Sequence, residues 1–362
     1  MELINATRMV AGYSMGIEPS GRELLVVAIK GTFRIPRPGE TMRLADAQLP
    51  LVMADTFTGT PGSSAPLHEI DFAPRKSRCD IVLLGSAYAP QGRPVLRVQV
   101  GVKLGAWQKL FTVVGDRVWR AGPVIRAGAP EPFAVKPISY DNAFGGVDAF
   151  HPDPGRHSAY LLNPVGRGYH RLLDPHLVDN TPLPNTEESD EPVTTPNGNY
   201  RPMAFGPVGR NFSSRSKLAG TYDQHWLDEA FPFLPADFDE GYYQAAPADQ
   251  QLPIPVGQQE VVLLNLTPDG VRSFTLPNFE APVHVFPRRG GREDFKANLD
   301  TIVVEPDAER LSLTWRITRP LKRDLFEISQ VLVGTKDQEW WQDHGVTTPA
   351  LAPVPAPSGA SA

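Results

Sequence analysis

The stretch AGTYDQHWLDEAFPFLPADFDEGYYQAAPADQQL, residues 219–252, dominates the organisation of the chain, because rings, prolines and acids alternate in it too tightly for a regular element. Pro232, Pro235 and Pro247 fix φ and remove amide donors, so they break a helix and exclude a long strand. Disordered segments are poor in rings, since they bury too little surface to offset the entropy lost on ordering. We therefore expect a packed, irregular loop, and loops of this length are usually functional or interaction elements. Its rings are Tyr222, Trp226, Phe231, Phe233, Phe238, Tyr242 and Tyr243.

Charge and cysteine content limit the classes of partner. The chain has 35 Lys+Arg against 41 Asp+Glu, a net charge of −6, whereas nucleic-acid binding requires clustered cations. Cys79 is the only cysteine, which excludes an intramolecular disulfide and a cysteine-based zinc site. We interpret it as a small buried hydrophobe at the head of the strand DIVLLGSAY.

The N-terminal residues show neither the charged region nor the apolar core of a signal peptide. No later run approaches the roughly 18 apolar residues that a membrane-spanning helix needs. The sequence therefore predicts a cytoplasmic protein with no membrane partner.

The high content of proline and glycine favours β-structure, because 38 prolines and 31 glycines among 362 residues leave little room for long helices. Residues 1–135 are predicted to form an N-terminal β-domain. In LRVQVGVKLG, residues 96–105, period-two alternation puts one set of side chains on a single, half-buried face. That set is Leu96, Val98, Val100 and Val102.

Residues 259–346 are predicted to form a C-terminal β-region packed with the rest of the chain. Residues 321–343 contain the best helix candidate, although DLFEISQVLVG also suits a strand. Residues 347–362 are a Pro/Ala/Ser tail, expected to be extended and unfolded. The expected fold class is mainly β, with two β-sandwich-like or barrel-like subdomains, long ordered loops rich in proline, glycine and aromatics, and few helices.

The central residues 136–258 are predicted to be rich in loops and carry two glycine-bearing signatures, NAFGG at 142–146 and NPVGRGY at 163–169. Glycine permits positive φ or close backbone approach, which indicates packed turns. Neither signature has the spacing of a phosphate-binding loop. The residues assigned to this loop architecture are Asn142, Phe144, Gly145, Gly146, Asn163, Gly166, Arg167 and Gly168, together with Asp223, Asp237 and Asp239.

Residues 174–199 are polar, acidic and rich in proline, so we expect an exposed, mobile excursion whose charges form a solvated face. Those charges are Glu187, Glu188, Asp190 and Glu191. The basic residues that follow are predicted to form internal ion pairs that hold loops together, in preference to an anion site. They are Arg201, Arg210, Arg215 and Lys217.

Asp223, Asp237 and Asp239 are the candidates for acid–base chemistry, because paired carboxylates carry out glycoside hydrolysis. Aspartates in proline-rich turns also cap backbone N–H groups, and nothing in the sequence fixes the separation that catalysis requires. There is no HExxH or DxDxDG string, and Ser139, Ser213, Ser214 and Ser216 lack a GxSxG elbow. We favour capping, and expect no enzyme activity, no metal site and no cofactor.

The rings of residues 219–252 suit an interface, where aromatic side chains with polar tips are favoured. Filling the core beneath the loop is the alternative role for most of them. The candidate partner-binding residues are Tyr222, Trp226, Phe233, Phe238, Tyr242 and Tyr243.

The chain resembles the DUF2169 family of bacterial type VI secretion proteins over roughly residues 1–320. The strings that carry the resemblance are SYDNAFGG, NPVGRGY, AGTYDQHWL, FPFLPADFDEGYYQAAPADQQ, GQQEVVLLNLTPDG and LDTIVVEPDAERLSLTWR. The resemblance implies an adaptor, or chaperone, that binds an effector or its PAAR-bearing region in the cytoplasm and helps load it onto the VgrG spike. It supplies no catalytic residues.

Two alternatives remain open at this stage. A carbohydrate-active enzyme or carbohydrate-binding protein would use Asp223, Asp237 or Asp239 beside a platform of rings. A structural component of the spike or baseplate would be part of the assembled apparatus.

Overall fold

The computed structural model describes residues 1–255 and 257–343. The predicted tail at 347–362 lies outside the described residues. Within them, no helix is both long enough and apolar enough to cross a membrane.

The described chain is mainly β, as predicted, and its longer strands form three sheets. From edge to edge, the seven-stranded sheet contains Gln251–Leu252, Cys79–Leu83, Asn298–Glu305, Arg310–Pro320, Glu23–Arg34 and Val10–Ile17, with Arg43–Leu44 also paired to Glu23–Arg34. The five-stranded sheet contains Thr186–Glu187, Trp107–Val114, Arg97–Leu104, Glu260–Leu264 and Val271–Thr275. The four-stranded sheet contains Glu2–Asn5, Ile328–Val333, Pro282–Pro287 and Glu293–Lys296.

Short strands and helices lie within the connecting loops. The two-stranded pairs are Thr56–Phe57 with Pro66–His68, Gly85–Tyr88 with Val135–Ile138, Trp119–Arg120 with Arg126–Ala127, Phe144–Gly145 with Arg167–Gly168, and Val147–Asp148 with Ser158–Ala159. The α-helices are Pro175–Val178, Ser213–Ser216, Gln224–Glu229 and Gln338–Asp343. Residues 321–343 thus hold both a strand, Ile328–Val333, and a short helix.

One hydrophobic core joins side chains from all three sheets. The seven-stranded sheet contributes alternating residues of two adjacent long strands, the five-stranded sheet contributes Val98, Val100 and Val102, and the four-stranded sheet contributes Val283 and Val285. Burial of each such side chain contributes about 1.5 to 3 kcal/mol. The predicted alternation is confirmed for the three valines, whereas Leu96 is half-exposed because it precedes the strand. Cys79 is fully buried at the start of its strand, as predicted.

The opposite face of the seven-stranded sheet is also buried, but it carries charges. Lys30 lies 3.0 Å from Asp71, Lys76 lies 2.6 Å from Asp80, and Arg316 lies 2.5 Å from Asp300. Each of these side chains is almost inaccessible to solvent. A buried charge is tolerated only when it is paired, so these three ion pairs fix how the covering loops pack on the sheet.

The prediction that residues 174–199 form an exposed, mobile excursion is wrong for many of them, which are buried. Thr186–Glu187 is an edge strand of the five-stranded sheet, and the Glu187 carboxylate is buried in an ion pair with Arg117. Its second oxygen lies 2.9 Å from Arg97. Val178, Leu183 and Val193 are buried with Trp119 and Phe144 in a second cluster, so this segment encloses a small core.

Stability at low pH is expected to depend on Glu305. Burial alone would raise the pKa of Glu305, but hydrogen bonds from His68 and Arg310 and the charge of Arg310 outweigh it and hold this pKa at about 2. A depressed carboxyl pKa stabilises the fold above the unfolded value of 4.5, and this contribution is lost as the pH falls through the folded value. The contribution at neutral pH is about 2 to 3 kcal/mol.

Urea unfolding at pH 7 and at pH 3 tests this expectation. The native chain should lose more stability between these pH values than Glu305→Gln does. Equal losses in the two proteins would show that other carboxyl groups control acid unfolding.

Candidate functional site

Residues 219–252 are less irregular than predicted, because a short helix forms at Gln224–Glu229. Asp223 caps it: its Oδ1 accepts a hydrogen bond of 2.9 Å from the backbone N–H of Trp226. An N-cap aspartate followed by good helix formers was the available signal. The prolines then end the helix, and the chain continues through single turns at Glu240–Tyr243 and Ala248–Gln250.

Four rings lie at the outside of this stretch and are called the outer rings: Tyr222, Trp226, Phe231 and Phe233. Tyr222 packs edge-on to Trp226 at 4.7 Å between ring centroids, and Trp226 packs edge-on to Phe231 at 5.6 Å. The Trp226 indole N–H donates to the Phe233 carbonyl at 2.9 Å. Tyr222, Phe231 and Phe233 are 53%, 63% and 44% exposed. A contiguous set of exposed large rings is unusual on a free surface and typical of a binding site.

The other three, Phe238, Tyr242 and Tyr243, are called the inner rings. They contact one another with centroids 5.3 to 6.4 Å apart and are half-buried. Burial, followed by the nearby charge of Glu240, raises the pKa of Tyr243 to about 12. The inner rings therefore form a half-buried cluster, and Tyr242 of this cluster is close enough to Tyr222 to influence it electrostatically.

Arg210 and Arg215 hold the inner rings in place, and both form the internal ion pairs that the sequence predicts. The guanidinium groups of Arg210 and Arg215 lie 5.5 and 5.3 Å from the centroid of Tyr242, a cation–π arrangement. Both arginines pair with Glu69, and Arg210 also pairs with Asp55 at 2.7 Å.

Two further basic residues were included in that prediction. Arg201 pairs with Glu188 and Asp249, as expected. Lys217 makes no ion pair within the described residues.

The C-terminal end of the stretch is clamped onto the seven-stranded sheet. The buried Asp80 carboxylate accepts hydrogen bonds of 2.7 Å from both the Gln244 side chain and the Ala245 N–H. The Gln250 amide donates to the carbonyls of Ile81 and Phe205 at 2.6 and 2.9 Å. These hydrogen bonds therefore fix the C-terminal end of the loop to the sheet.

The outer rings are braced against the turn that joins Val10–Ile17 to Glu23–Arg34. Gly21 has φ +82°, and a Cβ there would lie 2.8 Å from the Phe233 ring, so glycine is needed for this contact. Arg75 bridges Glu18 of the turn and Glu240 of the loop at 3.1 and 3.2 Å. Sequence reasoning did not identify Gly21 or Arg75, because neither lies near the rings along the chain.

Asp223, Asp237 and Asp239 all make local hydrogen bonds to the backbone. Asp237 accepts from the Thr221 N–H and hydroxyl at 2.9 and 2.8 Å, and these bonds lower its pKa. Asp239 accepts from the Gly241 N–H at 2.7 Å. A groove of about 790 Å³ lies elsewhere, beside the four-stranded sheet, and its lining includes none of the three. Within the described residues, no group of three His, Cys, Asp or Glu side chains is placed to hold a metal ion.

The two glycine-bearing signatures pack on each other, away from the rings. Phe144–Gly145 pairs in parallel with Arg167–Gly168. Asn163 is fully buried, and its amide donates to the carbonyls of Tyr140 and Phe144 at 2.9 and 3.1 Å. Arg167 donates to the Asp141 carbonyl and to the Asn142 side chain at 2.9 and 2.5 Å.

The glycines of these signatures leave no room for side chains. A Cβ on Gly145 would lie 2.1 Å from the Asn163 carbonyl oxygen, and one on Gly146 would lie 2.5 Å from that of Gly166. A Cβ on Gly166 would meet the Asn163 amide at 2.3 Å, and one on Gly168 would meet Pro184 at 2.7 Å. These contacts make the signatures a packing knot that supports the second cluster.

The surface around the outer rings is acidic. Asp223, Asp228, Glu229 and Asp237 are exposed, and within the described residues the one basic side chain that pairs with them is His225, 3.6 Å from Glu229. Phe231 and Leu227 are 63% and 51% exposed, although they were not among the candidate binding residues. The arrangement suits a partner that brings apolar side chains flanked by positive charges.

Residues 20–316 match the sequence model of the DUF2169 family, described as "uncharacterized protein conserved in bacteria". Neither a curated protein nor a solved structure matches the chain.

Proposed function

This chain belongs to the DUF2169 family of bacterial proteins, and on that premise we propose that it is a type VI secretion adaptor. In this proposal it binds a cognate effector, or its PAAR-bearing region, in the cytoplasm and helps load it onto the VgrG spike. The proposal takes this role from the sequence resemblance and the binding surface from the structure.

The observation that carries the proposal is the outer-ring surface, which is exposed and yet rigidly held. Phe233 packs against Gly21, and the neighbouring inner rings are held by Arg215, which is buried and donates to the carbonyls of Tyr242 and Val208 at 2.7 and 3.0 Å. Preorganised aromatic residues lose little entropy on binding, so they favour affinity for a protein partner. A specific contact buries about 800 Å² per partner, which loops on a β-platform can supply.

The capping bonds of Asp223, Asp237 and Asp239 favour the adaptor over a carbohydrate-active enzyme. Each carboxylate has a local structural partner, and a general acid or base must instead face its substrate. Asp237→Asn removes one exposed charge and is therefore expected to weaken partner binding by no more than about fivefold, whereas an enzyme that uses this residue would lose turnover.

Loss of the outer rings should abolish client binding. The variant Tyr222→Ser/Phe231→Ser/Phe233→Ser is expected to weaken the complex by about a hundredfold or more, since buried aromatic anchors dominate interface energies. The matched control is Leu96→Ser/Val124→Ser, which removes exposed apolar side chains from other parts of the surface. The measurement is capture from native lysate with the tagged chain, followed by titration of the purified client.

The expected client is an effector, a PAAR-bearing protein or VgrG, and the chain itself should be absent from culture supernatant. Recovery of the chain in the assembled apparatus and in secreted material would favour the structural-component alternative. Failure to enrich any effector or spike protein would contradict the adaptor role.

A further inference from the structure

The strand Val10–Ile17 is a free edge of the seven-stranded sheet. It pairs with Glu23–Arg34 over all eight of its residues, and within the described chain no strand lies on its other side. Apart from that ladder, its residues make no hydrogen bond to any described group. An unpaired edge of this length is a template for another strand.

The register shows which backbone groups point outward. The Glu18 N–H donates to the Arg22 carbonyl at 2.9 Å, and one step further along Ile17 lies opposite Glu23. In an antiparallel ladder, pairs that exchange hydrogen bonds alternate with pairs that do not. Counting back from Ile17, the outward N–H and C=O groups belong to Ala11, Tyr13, Met15 and Ile17.

This edge lacks the usual protection against strand addition. Its sequence, VAGYSMGI, has no charged residue and no proline, and Tyr13 and Met15 are 37% and 40% exposed. The edge strands of the other two sheets that exceed two residues all carry charges: Glu2–Asn5, Val271–Thr275 and Glu293–Lys296. Charged side chains at edges prevent pairing with other chains, so their absence here singles this strand out.

The free edge is continuous with the outer rings. Ile17 leads into the turn in which Gly21 contacts Phe233, so an added strand would end beside the acidic surface there. At the opposite end lies Arg8, which is exposed and makes no ion pair within the described residues. The two ends of the edge therefore carry opposite charges.

We propose that an extended segment of the client adds to the sheet along Val10–Ile17 as a further strand. The segment has apolar side chains at alternate positions, basic residues at the end that reaches the outer rings, and acidic residues at the end near Arg8. Main-chain hydrogen bonds supply affinity in such complexes and side-chain contacts supply specificity. The identity of the client rests on the proposed function, whereas the mode of binding rests on the edge itself.

The test uses the full chain and a displayed library of random peptides long enough to cover the strand. Enriched peptides should show the alternating pattern and should slow amide hydrogen exchange at Ala11, Tyr13 and Met15. Met15→Pro removes one outward N–H and should weaken these peptides about tenfold, the effect of one lost hydrogen bond. Met15→Ala keeps the N–H and should weaken them less than about threefold. Circular dichroism melts establish that both variants are folded.

Three results would overturn the proposal. These are failure to enrich peptides above the Met15→Pro background, enriched peptides that protect amides elsewhere, and a dimer of the chain alone in which these same amides are already protected. The adaptor role has a separate outcome. A client complex that tolerates Met15→Pro refutes strand addition alone, whereas edge-binding peptides without any captured effector or spike protein refute the adaptor role alone.

Discussion

Replacing Arg316 by methionine is expected to lower the free energy of unfolding by about 3 to 5 kcal/mol, the cost of leaving a buried charge without its partner. Arg316 lies 2.5 Å from Asp300, and both side chains are 3% exposed. Its Nε and Nη2 also donate to the Asp71 carbonyl at 3.2 and 2.7 Å. Methionine has a similar length and replaces none of these bonds.

The effect of Arg316→Met should depend on pH with a defined sign. Burial raises the pKa of Asp300, and the charge of Arg316 opposes this shift. Without the arginine the pKa rises further, and the folded state then binds a proton more tightly than the unfolded chain does. The penalty is absent below the unfolded pKa of 3.8 and grows as the pH rises through the folded value. The deficit should therefore be smallest near about pH 4 and largest at neutral pH.

Chemical denaturation of a small set of variants tests the pair. Asp300→Asn added to Arg316→Met should recover much of the lost stability, because it removes the unpaired charge. Arg34→Met is the control, since Arg34 is exposed on the adjacent strand and should change stability by less than about 0.5 kcal/mol. A deficit for Arg316→Met no larger than that of Arg34→Met would show that the buried pair is dispensable.

Gly145→Ala should destabilise the chain by more than about 4 kcal/mol, a loss reached when backbone strain and a steric clash coincide. Gly145 has φ +147°, which disfavours any side chain, and the new Cβ would lie 2.1 Å from the Asn163 carbonyl oxygen. This oxygen belongs to the backbone of the packing knot, so it cannot rotate away.

Gly39→Ala separates the two causes. Gly39 also has a positive φ, +85°, but nothing lies within 4 Å of a Cβ placed there. Its substitution should cost about 1 to 2 kcal/mol, the effect of the conformation alone. Soluble yield and thermal melting of both variants are the measurements. Similar losses at the two positions would mean that the knot is not tightly packed.

The sequence predicts elements whose cause is local. Alternation in LRVQVGVKLG identifies a strand and its buried face because side-chain period and burial follow from the same pleat. Cys79 is buried at the start of a strand rich in β-branched residues, as predicted. Of the four basic residues between 201 and 217, the three arginines pair with acidic side chains, as the alternation of basic and acidic segments suggests.

Long-range pairing has no comparable local signal. Nothing in the neighbouring sequence distinguishes Glu187 from a solvent-exposed acid. Its partner Arg117 lies seventy residues away along the chain. The charged face of the seven-stranded sheet is buried only because loops cover it, so Arg316 looks like an ordinary exposed position of an alternating strand. The free edge at Val10–Ile17 has no local signal either, because it depends on the absence of a further paired strand in the described chain.

The seven-stranded sheet joins strands that are made at very different times. Leu24 lies opposite Pro320, and Arg34 opposite Arg310, so nearly 300 residues separate partners in one ladder. At ribosomal rates of about 5 to 20 residues per second, the hydrophobic run LLVVAIKGTF waits roughly 15 to 60 seconds for its neighbour to emerge. A nascent chain can pair this run with Val10–Ile17, but the edge that faces Arg310–Pro320 stays unpaired for most of synthesis. Shielding by the cell's own folding machinery therefore matters more for this protein than for one built only from consecutive hairpins.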